Sequence, residues 1–138
     1  MAARASVTLT DAATTPVNHV FSPVAKVGNV LVWQDRTATA IMIGQNRLTL
    51  SQRPAEKDAK TTKFVLKLDQ PILEQTSPST ATGIQPVPVV GYRNLATVEF
   101  VLHERSAEQE RKDLLSMIRD LLNETIVTNL VHTYDMIY

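Results

Sequence analysis

Three stretches of the chain alternate between two sets of side chains. In residues 47–53, Arg47, Thr49, Ser51 and Arg53 alternate with Leu48 and Leu50. In residues 63–69, Lys63, Val65, Lys67 and Asp69 alternate with Phe64, Leu66 and Leu68. In residues 95–103, Leu95, Thr97, Glu99, Val101 and His103 alternate with Ala96, Val98, Phe100 and Leu102. Successive side chains on a strand point to opposite faces, so each stretch can bury one face and show the other. Side by side in one antiparallel sheet, they present a surface studded with Arg, Lys, Thr and Ser. Those residue types suit phosphate and base contacts better than catalysis. The same alternation is also the ordinary pattern of a solvated face, which stands as the plainer alternative.

The remaining pattern predicts strands first and helices last. Residues 5–10 and 17–21 are short strand candidates joined by a hairpin turn at 11–16, followed by a connection over 24–28. Residues 29–34 form a third strand in which Leu31 and Trp33 share a face, and Trp33 is expected in the core. Residues 37–43 are apolar without a fixed role, extending the next strand or forming a local hairpin. Pro54 is expected to stop the strand at 47–53, and Pro71 the one at 63–70. Residues 75–88 (QTSPSTATGIQPVP) have the composition of a loop, and 89–103 is the longest strand. After Ser106 the period changes. Leu114, Leu115, Ile118, Leu121 and Leu122 fall at helical spacing, as do Ile126, Val127, Leu130, Val131 and Tyr134 after a break near 123–125. Ser106 with Gln109 fits a capping box, and Glu108 lies four residues before Lys112, a helpful pair on a helix. The expected fold class is α+β with an antiparallel sheet, in one domain over 1–138: hairpin and connection at 1–28, sheet at 29–105, helices at 106–138.

Two short helices are little cover for the apolar face of such a sheet, and its edge strands are open templates for pairing. A symmetric homodimer, with sheets joined edge to edge and helices lying on the partner, meets both demands.

Composition narrows the partners. The 138 residues carry 14 basic and 14 acidic side chains, so bulk charge attracts neither nucleic acid nor membrane, and local patches must do the work. No apolar run approaches the ~20 residues that span a bilayer, and residues 1–11 lack the apolar core of an export signal, so a soluble protein with no membrane partner is expected. The absence of cysteine excludes disulfides and thiolate metal sites. His19, His103 and His132 are scattered and sit in no metal-ligand motif, and no Gly-rich phosphate loop, GxSxG or HExxH is present. Glu99 and His103 share a strand face but lie too far apart for a direct hydrogen bond. No catalytic residue, metal, cofactor or small-molecule substrate is expected.

The run RLTLSQRPAEKDAKTTKFVLKLDQP (47–71) pairs a basic-led Thr/Ser strand with a Lys-rich strand across a charged turn. The run VPVVGYRNLATVEFVLHERSAEQER (87–111) has a Pro-tipped loop, an aromatic–Arg pair, a long strand and an acidic helix start. With the final Ile137–Tyr138, this ordered set resembles the coat proteins of the small single-stranded RNA bacteriophages, the levivirus type. The resemblance covers about two-thirds of the chain well, with 36–46 longer than the family norm. It implies an N-terminal β-hairpin, a five-stranded antiparallel sheet and two C-terminal helices interlocked with a second subunit. The dimer then carries a continuous ten-stranded sheet. It also implies an icosahedral shell packaging single-stranded genomic RNA, with localisation in the virion after assembly in the bacterial host cytoplasm. The resemblance further implies that one dimer can bind an RNA hairpin and repress replicase translation.

By the same resemblance, RNA contact falls to Arg47, Thr49, Ser51, Arg53, Lys63, Lys67 and Thr97. Val65 stands where the family has a polar residue that holds a flipped adenine, and Leu95 where it has a Tyr that stacks on a loop base. Thr97 replaces an Asn or Asp beside it. Loss of a stacking platform removes roughly 1–3 kcal/mol per base, so phosphate contacts are kept while hairpin readout is weakened. The loop bearing Thr76, Ser77, Pro78, Gly83, Pro86 and Pro88 corresponds to the family's assembly loop at the shell's symmetry axes, whose end Tyr92 and Arg93 also resemble. A cellular dimeric RNA-binding module, which forms no shell, is the alternative reading.

Overall fold

A computed structural model describes residues 4–74, 81, 83, 84 and 86–138. The chain divides into two compact units, Met1–Val101 and Leu102–Tyr138. The first is one six-stranded antiparallel sheet in sequence order: β1 (Val7–Thr10), β2 (Asn18–Val27), β3 (Val30–Asp35), β4 (Arg47–Arg53), β5 (Thr61–Glu74) and β6 (Val89–His103). The second carries α1 (Glu108–Asn123) and α2 (Thr125–Thr133).

Register decides which side chains share a face. Leu48 and Leu50 of β4 lie opposite Leu68 and Leu66 of β5, and opposite Trp33 and Leu31 of β3, which makes one face apolar. Phe21 and Trp33 are its buried centre, at 2% and 6% exposure. The Trp33 indole N–H donates to the carbonyl of Ala5 at 2.8 Å, so the ring both fills the core and ties down the segment entering β1. β2 and β3 meet at a two-residue turn, where Gly28 has a φ of 57°, the left-handed value that the first position of a type II′ hairpin turn needs.

The hairpin expected ahead of a separate five-stranded sheet is instead continuous with it, and the described residues form six strands in one sheet. β2 is the reason. It runs on through 24–27, expected as a connection, because Val24 is accommodated as a bulge between Pro23 and Ala25 and pairing with β3 resumes. Pro71 does not stop β5 either. It follows the last pair with β4, Arg47 with Asp69, so no β4 carbonyl is left waiting for its missing N–H. Residues 37–43 form neither strand nor hairpin: a single 3-10 turn, Met42–Gly44, is held by backbone bonds from Gly44 and Gln45, and the Gln45 side-chain amide donates to Thr39 O. β6 runs over the expected residues.

In the helical unit the break between the helices lies at Glu124, whose N–H donates to Leu121 O. The expected cap is displaced by one residue. Ala107, not Ser106, is the N-cap, and the Glu110 carboxylate, not Gln109, accepts its N–H at 2.8 Å. Ser106 Oγ donates instead to His103 O, closing the turn out of β6, while Gln109 donates to Asp113. Lys112 pairs with Glu108 at 2.7 Å, as the four-residue spacing predicts. No residue of either helix is buried, and Leu114, Leu115, Met117, Leu121, Leu122, Ile126 and Val131 are all exposed.

Candidate nucleic-acid interface

The opposite face of the sheet collects the polar set. Arg47 lies across from Asp69, Thr49 from Lys67, Ser51 from Val65 and Arg53 from Lys63. On the other side of β4, the same residues from Arg47 to Ser51 face Gln34, Val32 and Val30 of β3. β6 joins this face through two cross-strand ion pairs: Lys63 Nζ is 2.9 Å from Glu99 Oε1, and Arg93 Nη1 is 2.7 Å from Asp69 Oδ2. Because side chains on a strand alternate, Leu95 and Thr97 share the face with Arg93 and Glu99.

The register therefore gathers Arg47, Arg53, Lys63, Lys67 and Arg93 with only Asp69 and Glu99, a surplus of three positive charges in a chain whose formal net charge is zero. The pairs divide the cations into two classes. Lys63 and Arg93 are held by carboxylates, whereas Arg47, Arg53 and Lys67 have no ion-pair partner among the described residues. Thr49 and Ser51 lie between the unpaired cations and offer hydroxyls that donate or accept. Such a strip can neutralise phosphates at several points along a strand about 20 Å long, given a rise near 3.3 Å per residue.

All seven residues expected to contact RNA fall on this one face. Leu95 lies there too, 58% exposed, so an aliphatic side chain is presented where an aromatic would stack. Of the expected assembly-loop residues, Thr76, Ser77 and Pro78 lie outside the described residues. Gly83 has a φ of 78°, a left-handed conformation that strains any residue with a Cβ, and Pro86 and Pro88 are half-buried before β6.

Among the described residues, two of the three histidines make hydrogen bonds. His103 accepts from the Arg105 N–H in the turn out of β6, and His132 lies in the last turn of α2. His19 was missed as an interacting residue. Its Nδ1 lies 2.6 Å from Asp35 and its Nε2 3.0 Å from Asp11, residues far apart in the chain that only the β1–β2–β3 register assembles. The ring sits between the two carboxylates, and among the described residues no group of three or more ligating side chains could hold a metal ion. No described helix is long and apolar enough to cross a membrane.

Comparison with known proteins agrees with this geometry. The capsid protein of Pseudomonas phage PRR1 is 33% identical over 127 residues, covering 90% of this chain and 87% of that protein. The virus-like particle of bacteriophage ESE058 has a subunit of the same fold, with a TM-score of 0.88, 30% identity, and coverage of 99% of this chain and 100% of that one. The bacteriophage GA protein capsid shares the fold at a TM-score of 0.71 and 19% identity, over 92% of each chain. The family described as levivirus coat protein matches residues 2–138, and the chain belongs to that family of capsid proteins.

Proposed function

We propose that this chain forms a symmetric dimer, that dimers close into an icosahedral shell, and that the shell packages single-stranded RNA against the cationic sheet face. The observation that carries the reading is the three-charge surplus that the β4–β5–β6 register concentrates on one face of a neutral chain. Phosphate contacts run through Arg47, Arg53 and Lys67, Lys63 contributes little while Glu99 holds it, and Thr49, Ser51 and Thr97 reach sugar or base.

Two features of the separate units support the dimer. β6 is a sheet edge of 15 residues, whereas the other edge, β1, has only 4, so the long unpaired ladder lies at β6. Pairing with β6 of a second copy satisfies that ladder and joins two sheets into twelve strands in place of the ten expected. The exposed apolar stripe of α1 needs cover as well, and each Leu or Ile fully buried contributes about 1.5–3 kcal/mol. The named relatives are a phage capsid protein and the subunit of a virus-like particle, which supports the step from dimer to shell. A translational-repressor role uses the same face, and its hairpin readout is weakened by Leu95 and Val65.

Expression of the chain alone, followed by light scattering and electron microscopy, tests the proposal. Closed RNA-containing particles are expected. A stable monodisperse monomer at micromolar concentration refutes it, and dimers that bind RNA but never close support a binding module instead.

A further inference from the structure

The His19 cluster is tied to two segments at once. Asp11 Oδ1 accepts the N–H groups of Ala13 at 3.2 Å and Val17 at 2.9 Å, so its carboxylate organises the β1–β2 turn. Asp35, fully buried, uses Oδ1 to accept the N–H of Thr37 at 3.0 Å and its hydroxyl at 2.6 Å, which sets the first bend of the connection to β4. Each carboxylate has its second oxygen on a different nitrogen of the His19 ring. An ionised carboxylate only accepts hydrogen bonds, so both ring nitrogens must donate, and only the imidazolium form can do that. A neutral ring points a lone pair at one carboxylate.

We infer that His19 is a proton-operated clasp that joins the β1–β2 turn to the start of the β3–β4 connection, closed in mildly acidic solution and opened by alkali. Asp11 and Asp35 are the charged groups whose fields act on the ring. Its neighbours on the same face from β1 and β2, Val7, Leu9 and Phe21, are apolar, as is Trp33 from β3. Arg36, next to Asp35, is exposed and forms no ion pair among the described residues. The hydrogen bond to Asp11, then that to Asp35, holds His19 above the ordinary histidine value of 6.5. The Val17 N–H, His19 and the Ala13 N–H hold Asp11 below the usual 3.8. Burial pushes Asp35 up, but the bonds from Thr37 and His19 outweigh it and leave it lowered from 3.8.

A raised histidine contributes stability that is complete below 6.5 and is lost as pH climbs through the folded value. The lowered carboxylates contribute stability that is present above 3.8 and is lost as pH falls through their folded values. The clasp is therefore tightest between those limits and opens on the alkaline side by loss of the ring proton. The connection that Asp35 anchors presents Ile41, Met42 and Ile43, three consecutive exposed apolar side chains, so opening the clasp loosens the start of an apolar segment. The inference needs only the fold of this subunit and not RNA binding.

Hydrogen exchange of the purified full chain, from about pH 6 to about pH 9.5 and corrected for intrinsic exchange, tests it. Protection at the Ala13, Val17 and Thr37 amides is expected to fall several-fold as pH rises, while the β4–β5 ladder stays constant. In His19→Gln, which donates from one amide group only, protection at these sites is expected to be low and independent of pH. Nitrogen NMR of the imidazole ring provides a second measure that needs no variant. Both His19 nitrogens should carry protons in mildly acidic solution below 6.5 and lose one at a pH above 6.5. Constant protection in the wild type, the same pH response in His19→Gln, or a ring titrating at or below 6.5 overturns the clasp.

Discussion

Replacing Lys67 with Ala removes one of the three sheet-face cations that no carboxylate neutralises, without touching the apolar face. Lys67 lies opposite Thr49 at the middle of the β4–β5 ladder and is exposed, so the subunit should fold and dimerise as before. Its effect on RNA binding can be sized from counterion release. Three unpaired cations per subunit make six in a dimer, and at about 0.7 per phosphate contact on a single strand the slope of log K against log salt is about −4. Affinity then falls by about 300-fold between 50 and 200 mM salt. Lys67→Ala leaves four such cations in the dimer, a slope near −3 and a loss of about 50-fold over the same range. Filter binding or fluorescence anisotropy at several salt concentrations, with dimers kept below the concentration at which shells form, measures the slope directly. The reduction should be similar for unrelated RNA sequences, because phosphate contacts carry no base information. An unchanged slope in Lys67→Ala, and again in the double variant with Arg47→Ala, would show that this face is only wetted by solvent.

Other positions give independent tests. Leu95→Tyr supplies the missing stacking platform and should strengthen binding to a hairpin with unpaired loop bases by about 1–3 kcal/mol, measured by the same assay at fixed salt; no change means that no base reaches the position. Glu99→Gln frees Lys63 from its 2.9 Å pair and should steepen the salt slope, whereas an unchanged slope would mean that Lys63 reaches no phosphate. Trp33→Ala empties the core and breaks the bond to Ala5, and chemical denaturation should show a loss of about 3–5 kcal/mol. Shortening residues 75–87 should leave dimer melting near the native value while particles change in size or disappear on electron micrographs; unfolded dimers with normal particles would make the loop structural.

The parts of the molecule governed by local periodicity were legible in the chain. β6 spans the expected Val89–His103, its burial alternates from Thr97 onward, and the seven polar residues expected on one face are there because a period of two is set by backbone geometry alone. Features that depend on a neighbouring strand were not. Pro71 reads as a stop until the end of the β4 ladder is known, and Val24 reads as a connection until the bulge is seen. The Lys63–Glu99 and Arg93–Asp69 pairs, which separate held from unpaired cations, arise from the meeting of β5 with β6. His19, Asp11 and Asp35 come from two turns and two strands, and no spacing in the chain announces them. The helix cap slipped by one residue because Ser106 satisfies the turn behind it rather than the helix ahead.

Electron cryomicroscopy of particles from cells expressing the chain alone tests the central claim most directly. The account predicts closed shells built from dimers joined at β6, with RNA density against the face that carries Arg47, Arg53 and Lys67 and none against α1 or α2. Shells whose RNA lies along the helices, or particles that close with that sheet face turned outward, would contradict it.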